Sequence, residues 1–350
     1  MQFAITVDTH VSKWDCIKLA EDLGYDRAWV PDSQMIWSDC YATLAVAAVN
    51  TKRIHIGTGV AIPGTRIAPV TAHSIASINQ LAPGRVFLGI GTGHTAMRVM
   101  GQDPMPVKQF REYLRVVRSL LDGKAVDYTY GGNTREIQFL HRDRYYINLD
   151  NRIPIYVAAN GPKALEATGA YGDGWVTIGR DSKEVAQRME HIRTGAKAVG
   201  RQIGPDFHTS VLTAGCVLRP GEKLSSERVV NETGAWVTCE LHFFYGIWLK
   251  EGRKDALIPP HFANIWQRYL ERVKNYSLPE NARFRQIHNG HCTFMQPDER
   301  GFVTAEAIRA TCMVGTSDEI IGQLRQMEKD GLKELNLLPA ADHQKEVWKD

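Results

Sequence analysis

The sequence predicts an α/β fold: a (β/α)8 TIM barrel with an inserted, partly helical segment in its C-terminal part. Two observations predict it. Short apolar runs alternate with stretches of helical periodicity over most of the chain, and Ile54–Gly101 shows the repeating unit complete. There a β-rich run, Ile54–Gly57, leads through a loop, Thr58–Pro69, to a helical pattern, Val70–Leu81. The turn Ala82-Pro83-Gly84 and a second apolar strand, Val86–Ile90, complete the unit. Two strands joined by one helix lie parallel, and eight of them alternating with helices favour a closed barrel over an open doubly wound sheet. A chain of 350 residues fits one such domain, 1–350, because α/β barrels reach this length without dividing.

The elements follow in order. Phe3–Val7 is the first strand, with Asp8-Thr9-His10 at its tip, and Trp14–Leu23 is a helix closed by Gly24. Ala28–Val30 is the second strand, ending in Pro31-Asp32-Ser33, after which Tyr41–Val49 resumes helical spacing. Beyond strands three and four, Val107–Leu121 is a strongly periodic helix ended by Gly123. Val126–Tyr130 and Glu136–Phe139, separated by Gly131-Gly132-Asn133, interrupt the rhythm as a β-hairpin. Alternation returns with strand Ile155–Ala158, loop Asn160–Lys163, a helix to Tyr171, strand Trp175–Thr177, helix Lys183–Val199 and strand His208–Gly215.

Residues 225–309 differ. They are rich in histidine and aromatics (Trp236, His242, Phe243, Phe244, Tyr245, Trp248, Trp266, Tyr269) and are interrupted by Pro259-Pro260. They read as an insertion over the strand ends, serving either as a lid on the substrate or as a dimer interface. Thr316 and Ser317 then cap a last helix, Asp318–Lys329, with Gly331 behind it. Glu334–Leu338 closes the series.

Composition narrows the function. A net charge of +3 without basic blocks argues against a nucleic-acid platform. No apolar run approaches the ~18 residues that span a bilayer, so no membrane partner is expected. MQFAITVDTH lacks a basic n-region and a cleavage site, which makes the cytoplasm the expected location. Six scattered cysteines, Cys16, Cys40, Cys216, Cys239, Cys292 and Cys312, contain no CxxC pair and read as reduced thiols. His288, His291 and Cys292 lie together in HNGHC, but no second cluster shows ligand spacing, so no metal is expected.

Chemistry in parallel α/β folds gathers where strands end. The glycine-rich tips Gly57-Thr58-Gly59-Val60 and Gly91-Thr92-Gly93-His94 therefore face one pocket. A histidine in such a tip, His94, suits acid–base work near neutral pH; the other reading is a hydrogen-bonded structural histidine. Asn160-Gly161-Pro162-Lys163 opens a helix, whose N–H groups and positive partial charge suit a phosphate. An ordinary turn with proline at the first helical position accounts for the same residues. Gly59 lets a loop wall press flat against a ring, or merely turns the chain. Asp32 and Asp39 are site carboxylates or helix caps, with the cap favoured for Asp39.

Five motifs occur in a recognisable order: PDSQMIWSDCYATLAVAA, IGTGVAIPGTRIAPVTA, PGRVFLGIGTG, IYVAANGPKALEATGAYGDGW and VGTSDEI…DGLKELNLLP. On these motifs the chain resembles the bacterial-luciferase-like flavin and deazaflavin oxidoreductases, and within them the coenzyme F420-dependent branch. The resemblance implies a homodimeric oxidoreductase that transfers a hydride between F420 and a small organic substrate. The alternative is a two-component monooxygenase using O2 and reduced FMN from a separate flavin reductase. A third reading is a flavin-binding barrel without turnover.

By position, the resemblance implies that Asp32 and Trp37 flank the cofactor ring. It implies a non-prolyl cis peptide at Gly59-Val60 behind the ring, with Gly91 beside it. Asn160, Gly161, Pro162 and Lys163 would take the cofactor phosphate; Arg66, Arg180 and Lys183 are contacts for an oligoglutamate tail or simply solvated surface charges. Sugar-phosphate dehydrogenases of this branch carry His after the Asp and Glu after the second glycine tip, where this chain has Ser33 and His94. The ring-binding frame is thus kept while the acid–base pair is changed. Proton handling moves to His94, with Asp32 as its electrostatic or hydrogen-bonding neighbour. Trp37 and, from the insertion, Tyr245, Trp248, His288 and His291 are the candidate substrate-lining residues.

Overall fold

The computed structural model describes residues 1–178 and 184–350. Its strands are β1 (Gln2–Thr6), β2 (Arg27–Val30), β3 (His55–Ala61), β4 (Val86–Gly91), β5 (Val126–Tyr130) and β6 (Asn133–Ile137). They continue with β7 (Ile155–Ala158), β8 (Gly174–Ile178), β9 (His208–Thr213), β10 (Gly215–Val217), β11 (Met313–Gly315) and β12 (Glu334–Leu337). Eight of these close a barrel in the order β1-β12-β9-β8-β7-β4-β3-β2. Its registers are parallel, as in Val30↔Thr58, Gly91↔Ala158 and Ala158↔Val176. This is the predicted (β/α)8 architecture.

Large side chains fill the barrel interior. Ala4, Trp29, Phe87, Tyr156 and Val176 form one buried cluster, with the Trp29 and Phe87 ring centres 4.5 Å apart. Gly89 makes room for the indole, since a Cβ there would stand 2.6 Å from the Trp29 ring. At the N-terminal end, three residues that open their strands, Arg27, His208 and Glu334, meet. Glu334, fully buried, accepts from Arg27 (2.8 Å), Trp29 Nε1 (3.1 Å) and Ser210 Oγ (2.7 Å), with His208 Nε2 at 3.4 Å. Burial alone would raise this carboxyl, but His208, Arg27 and Ser210 together hold it below its ordinary range.

Three expectations change. β3 does not stop at Gly57: Thr58 Oγ1 donates to the Gly89 carbonyl at 2.6 Å, and pairing continues to Ala61↔Ile90 after a register shift. The loop therefore begins at Ile62, four residues later than Thr58. The expected strand His208–Gly215 is two strands: Met313 N–H bonds to the Ala214 carbonyl, and β10 leaves the barrel to pair with β11. In the hairpin, β6 starts at Asn133, because Gly131 (φ 58°) and Gly132 (φ 80°) alone make the turn. Two consecutive left-handed residues are what a two-residue hairpin turn demands.

The chain forms two compact units. The first comprises Met1–Thr177, most of the chain onward to Val211, and Glu328–Leu335; the second comprises Leu212–Met327 and Asn336–Asp350. The second is mainly helical, with helices Glu227–Lys250, Pro260–Lys274 and Ala305–Thr311. Tyr245, Trp248, Trp266 and Tyr269 form a ring cluster there, with neighbouring centres 5.6–6.4 Å apart. No helix among the described residues is long and apolar enough to cross a membrane.

Candidate active site

The site is built on the strand ends of the first unit. Asp32 follows β2 and is 2% exposed. Arg66, in the loop after β3, donates through Nη1 to both Asp32 oxygens (2.8 and 3.1 Å) and through Nη2 to Asp39 (2.8 Å). Its guanidinium lies 4.6 Å from the Tyr41 ring centre, and its carbonyl accepts from Tyr113 Oη at 2.8 Å. Gln34 Nε2 and the Ile62 N–H also donate to Asp32. Burial pushes the Asp32 carboxyl above its ordinary range, and Arg66, Cys40 and Ile62 offset only part of that effect. Asp39 is also the expected helix cap, accepting from the Ala42 N–H at 2.8 Å.

The Gly59–Val60 peptide is cis. Val60 and Ala158 are half-buried and pack on the barrel's aromatic cluster. Gly91 lies between them: a Cβ there would stand 3.1 Å from Val60 Cγ2 and 3.2 Å from the Ala158 Cβ. Val60, Gly91 and Ala158 thus form an apolar shelf across three adjacent strands.

His94 is half-buried in the first turn of helix His94–Val99, whose N-cap Gly93 is left-handed (φ 82°). A Cβ on Gly93 would stand 1.9 Å from Ile62 Cγ2. Ile62 therefore touches the His94 loop with its side chain and donates to Asp32 with its N–H at 3.3 Å. One residue links the two loops that carry His94 and Asp32. Trp37 is half-buried, in a turn whose N–H groups at Ile36 and Trp37 bond back to the Ser33 carbonyl.

Asn160, Gly161, Pro162 and Lys163 are all exposed, and Pro162 opens helix Pro162–Tyr171. No atom comes within 4 Å of the place a Gly161 Cβ would take, so packing inside the protein does not demand glycine there. The space is left open in front of a helix N-terminus, three residues beyond the shelf residue Ala158.

Other candidates are placed differently. Arg66, one of the candidate tail contacts, pairs with two carboxylates and a ring and braces the Asp32 loop. Arg180 and Lys183 lie outside the described residues. Tyr245 is core in the second unit, stacked at 5.8 Å on Trp248, whose Nε1 donates to Asp255 at 2.8 Å. The His288 ring centre is 6.0 Å from that of His291, and His291 lies beside Cys239 and Cys292. Sequence reading missed the Arg66 bridge, because ion pairs 27 and 34 residues apart leave no local pattern.

The model of the family described as Luciferase-like monooxygenase matches residues 12–334. The chain belongs to this family. Among its luciferase-like relatives, the 5,10-methylenetetrahydromethanopterin reductase of Methanolobus tindarius is 38% identical over 186 residues, 53% of this chain and 55% of that protein. The F420-dependent glucose-6-phosphate dehydrogenase of Kineococcus radiotolerans is 32% identical over 224 residues, 60% of this chain and 65% of that one. The chain spans about half the length of the first curated relatives it matches.

In three dimensions, the F420-dependent tetrahydromethanopterin reductase from Methanopyrus kandleri aligns with a TM-score of 0.71 at 21% identity, over 99% of this chain and 96% of that one. The oxygenating constituent of 3,6-diketocamphane monooxygenase from Pseudomonas putida, in complex with FMN, aligns with a TM-score of 0.62 at 15% identity, over 100% of this chain and 96% of that one. These two likenesses establish the shared fold.

Proposed function

We propose that this luciferase-like oxidoreductase transfers a hydride between coenzyme F420 and a small organic substrate. The observation that carries the reading is the shelf Val60–Gly91–Ala158, continued by the open helix start at Gly161. An apolar shelf with an anion-binding helix end beyond it suits a planar ring on a phosphate-bearing chain. FMN shares those features; F420 is preferred because relatives at 33% and 32% identity are named as F420-dependent dehydrogenases.

The bound deazaflavin supplies the hydride chemistry. Val60 backs the ring, Asn160–Lys163 hold the phosphate, and the Arg66-braced Asp32 fixes the polar side of the site. His94 moves a proton on the substrate heteroatom next to the carbon that exchanges hydride. Residues 225–309 select the substrate, and the enzyme works as a homodimer in the cytoplasm.

Titration with F420 and FMN, each oxidised and reduced, tests the cofactor. Tighter F420 binding is expected. Preference for reduced FMN with O2 consumption, driven by a separate flavin reductase, would replace this reading with the monooxygenase alternative. Binding without turnover on any carbonyl or alcohol panel would leave a flavin-binding barrel. Light scattering tests the dimer.

A further inference from the structure

We propose that Cys239, His291 and Cys292 form a binding site for a soft divalent cation of the zinc class. Cys239 lies on helix Glu227–Lys250, while His291 and Cys292 follow helix Phe284–Ile287. The fold brings them together across 52 residues. Cys239 Sγ is 3.3 Å from His291 Nδ1 and 4.0 Å from Nε2. Cys292 Sγ is 3.2 Å from Cys239 Sγ and 3.7 Å from His291 Nε2.

These spacings lie within a small side-chain adjustment of what a cation requires. Zinc–sulfur bonds of about 2.3 Å and zinc–nitrogen bonds of about 2.0 Å at tetrahedral angles set donor–donor separations of roughly 3.5–3.8 Å. With His291 Nε2 as the donor, the nitrogen–sulfur distances of 4.0 and 3.7 Å lie above, and the sulfur–sulfur distance of 3.2 Å below, that range, so binding requires only side-chain shifts of about half an ångström. Two thiolates with one imidazole form a donor set that selects zinc over magnesium or calcium, which take oxygen ligands.

A second, independent observation is the backbone at Cys292, with φ 52°. This left-handed conformation is uncommon for a residue other than glycine. Here it sets neighbouring side chains, His291 and Cys292, on one centre. Cys239 and His291 are half-buried and Cys292 is buried, so the centre is enclosed yet reachable from solvent. On binding, both thiols give their protons to solvent, and the thiolates balance the charge of the cation. The fourth position falls to water or to His288, whose ring centre is 6.0 Å from that of His291.

The test uses the full chain, reduced, stripped with chelator and titrated with cobalt(II) and zinc(II). One equivalent should bind, with thiolate-to-cobalt charge-transfer absorption and the strong visible bands of a tetrahedral ion. Zinc should protect Cys239 and Cys292, but not the other four cysteines, from alkylation as mapped by mass spectrometry. This readout needs no variant and no cofactor. Cys239→Ser and Cys292→Ser should each weaken binding by more than the about 10–100-fold that outer-shell changes cost. Weaker binding in His288→Ala would make it the fourth ligand; unchanged binding would leave water there.

The proposal is overturned if the reduced protein binds neither ion, or if zinc leaves both thiols open to alkylation. It is equally overturned if the serine variants bind as tightly as the parent. A Cys239–Cys292 disulfide that forms in the presence of excess zinc would also overturn it.

Discussion

Each end of the barrel holds a buried carboxylate facing an arginine, yet the two are held in opposite ways. Glu334 at the N-terminal end has Arg27, His208, Trp29 and Ser210 around it, and its carboxyl is held below the ordinary range. Asp32 at the C-terminal end shares its arginine with Asp39, and its carboxyl is pushed up. Both carboxyls have several donors; His208 beside Glu334, together with Arg27 and Ser210, outweighs burial, whereas the Arg66 that Asp32 shares with Asp39 does not. Glu334 is held toward its anionic form and ties strands together, while burial holds the Asp32 carboxyl above its ordinary range. Glu240 in the second unit extends the series. With only Trp236 opposing burial and its Oε1 unpartnered, it is pushed up to about 8.

The largest effect should appear at the C-terminal end as chemistry. His94→Ala should lower turnover about 10²–10⁴-fold, the range for a positioned proton transfer, while cofactor affinity barely moves. Steady-state rates set against a cofactor titration check this, and normal turnover with an unchanged pH profile would remove the role. Next comes stability at the other end. Glu334→Ala leaves Arg27 and His208 buried without their anion and should cost about 3–5 kcal/mol in urea unfolding at neutral pH. The deficit should shrink in acid, because a depressed carboxyl lends stability above its unfolded pKa and loses it as pH falls.

Asp32→Asn should cost little or even stabilise, since a raised carboxyl opposes folding as pH climbs through its pKa. Equal losses in the two variants would break the comparison. Glu240→Gln sharpens it. The wild-type chain should lose stability between its unfolded pKa near 4.5 and about 8, and the variant should regain on the order of 1–3 kcal/mol at the alkaline end. Smallest is Lys163→Ala, which should weaken cofactor binding up to about fivefold, one exposed charge contact being worth about 1 kcal/mol, with turnover at saturation unchanged.

The barrel was legible because parallel strands leave apolar runs at regular spacing, and helix Val107–Leu121 and strand Ile155–Ala158 carry the expected bounds. The tips were legible through their glycines: Gly93 stands where Ile62 leaves no room for a Cβ, and Gly91 where Val60 and Ala158 would have to give by a few tenths of an ångström. Contacts over long separations were not. Arg66 with Asp32, Glu334 with Arg27, and Cys239 with His291 are each set by tertiary packing, which leaves no periodic trace. The length of β3 was misjudged because Thr58 and Gly59 read as loop residues, while the Thr58 hydroxyl is satisfied inside the sheet by Gly89. Tyr245 and Trp248 looked like substrate contacts because aromatics serve a helical core and a binding surface equally well.

The contact between Gly93 and Ile62 has a consequence for anyone reshaping this enzyme. Ile62 presses on a glycine that has no room for a methyl group while its amide is bonded to Asp32. The loops after β3 and β4 are therefore inherited as one part. A library that randomises 91–97 alone will displace Ile62 and, with it, a donor to the carboxylate across the site. Most members would lose function before the new residues are tried. Varying 60–66 and 91–97 jointly, with Gly93 and Ile62 exchanged only as a matched pair, keeps the reacting groups in alignment while the pocket wall is redrawn.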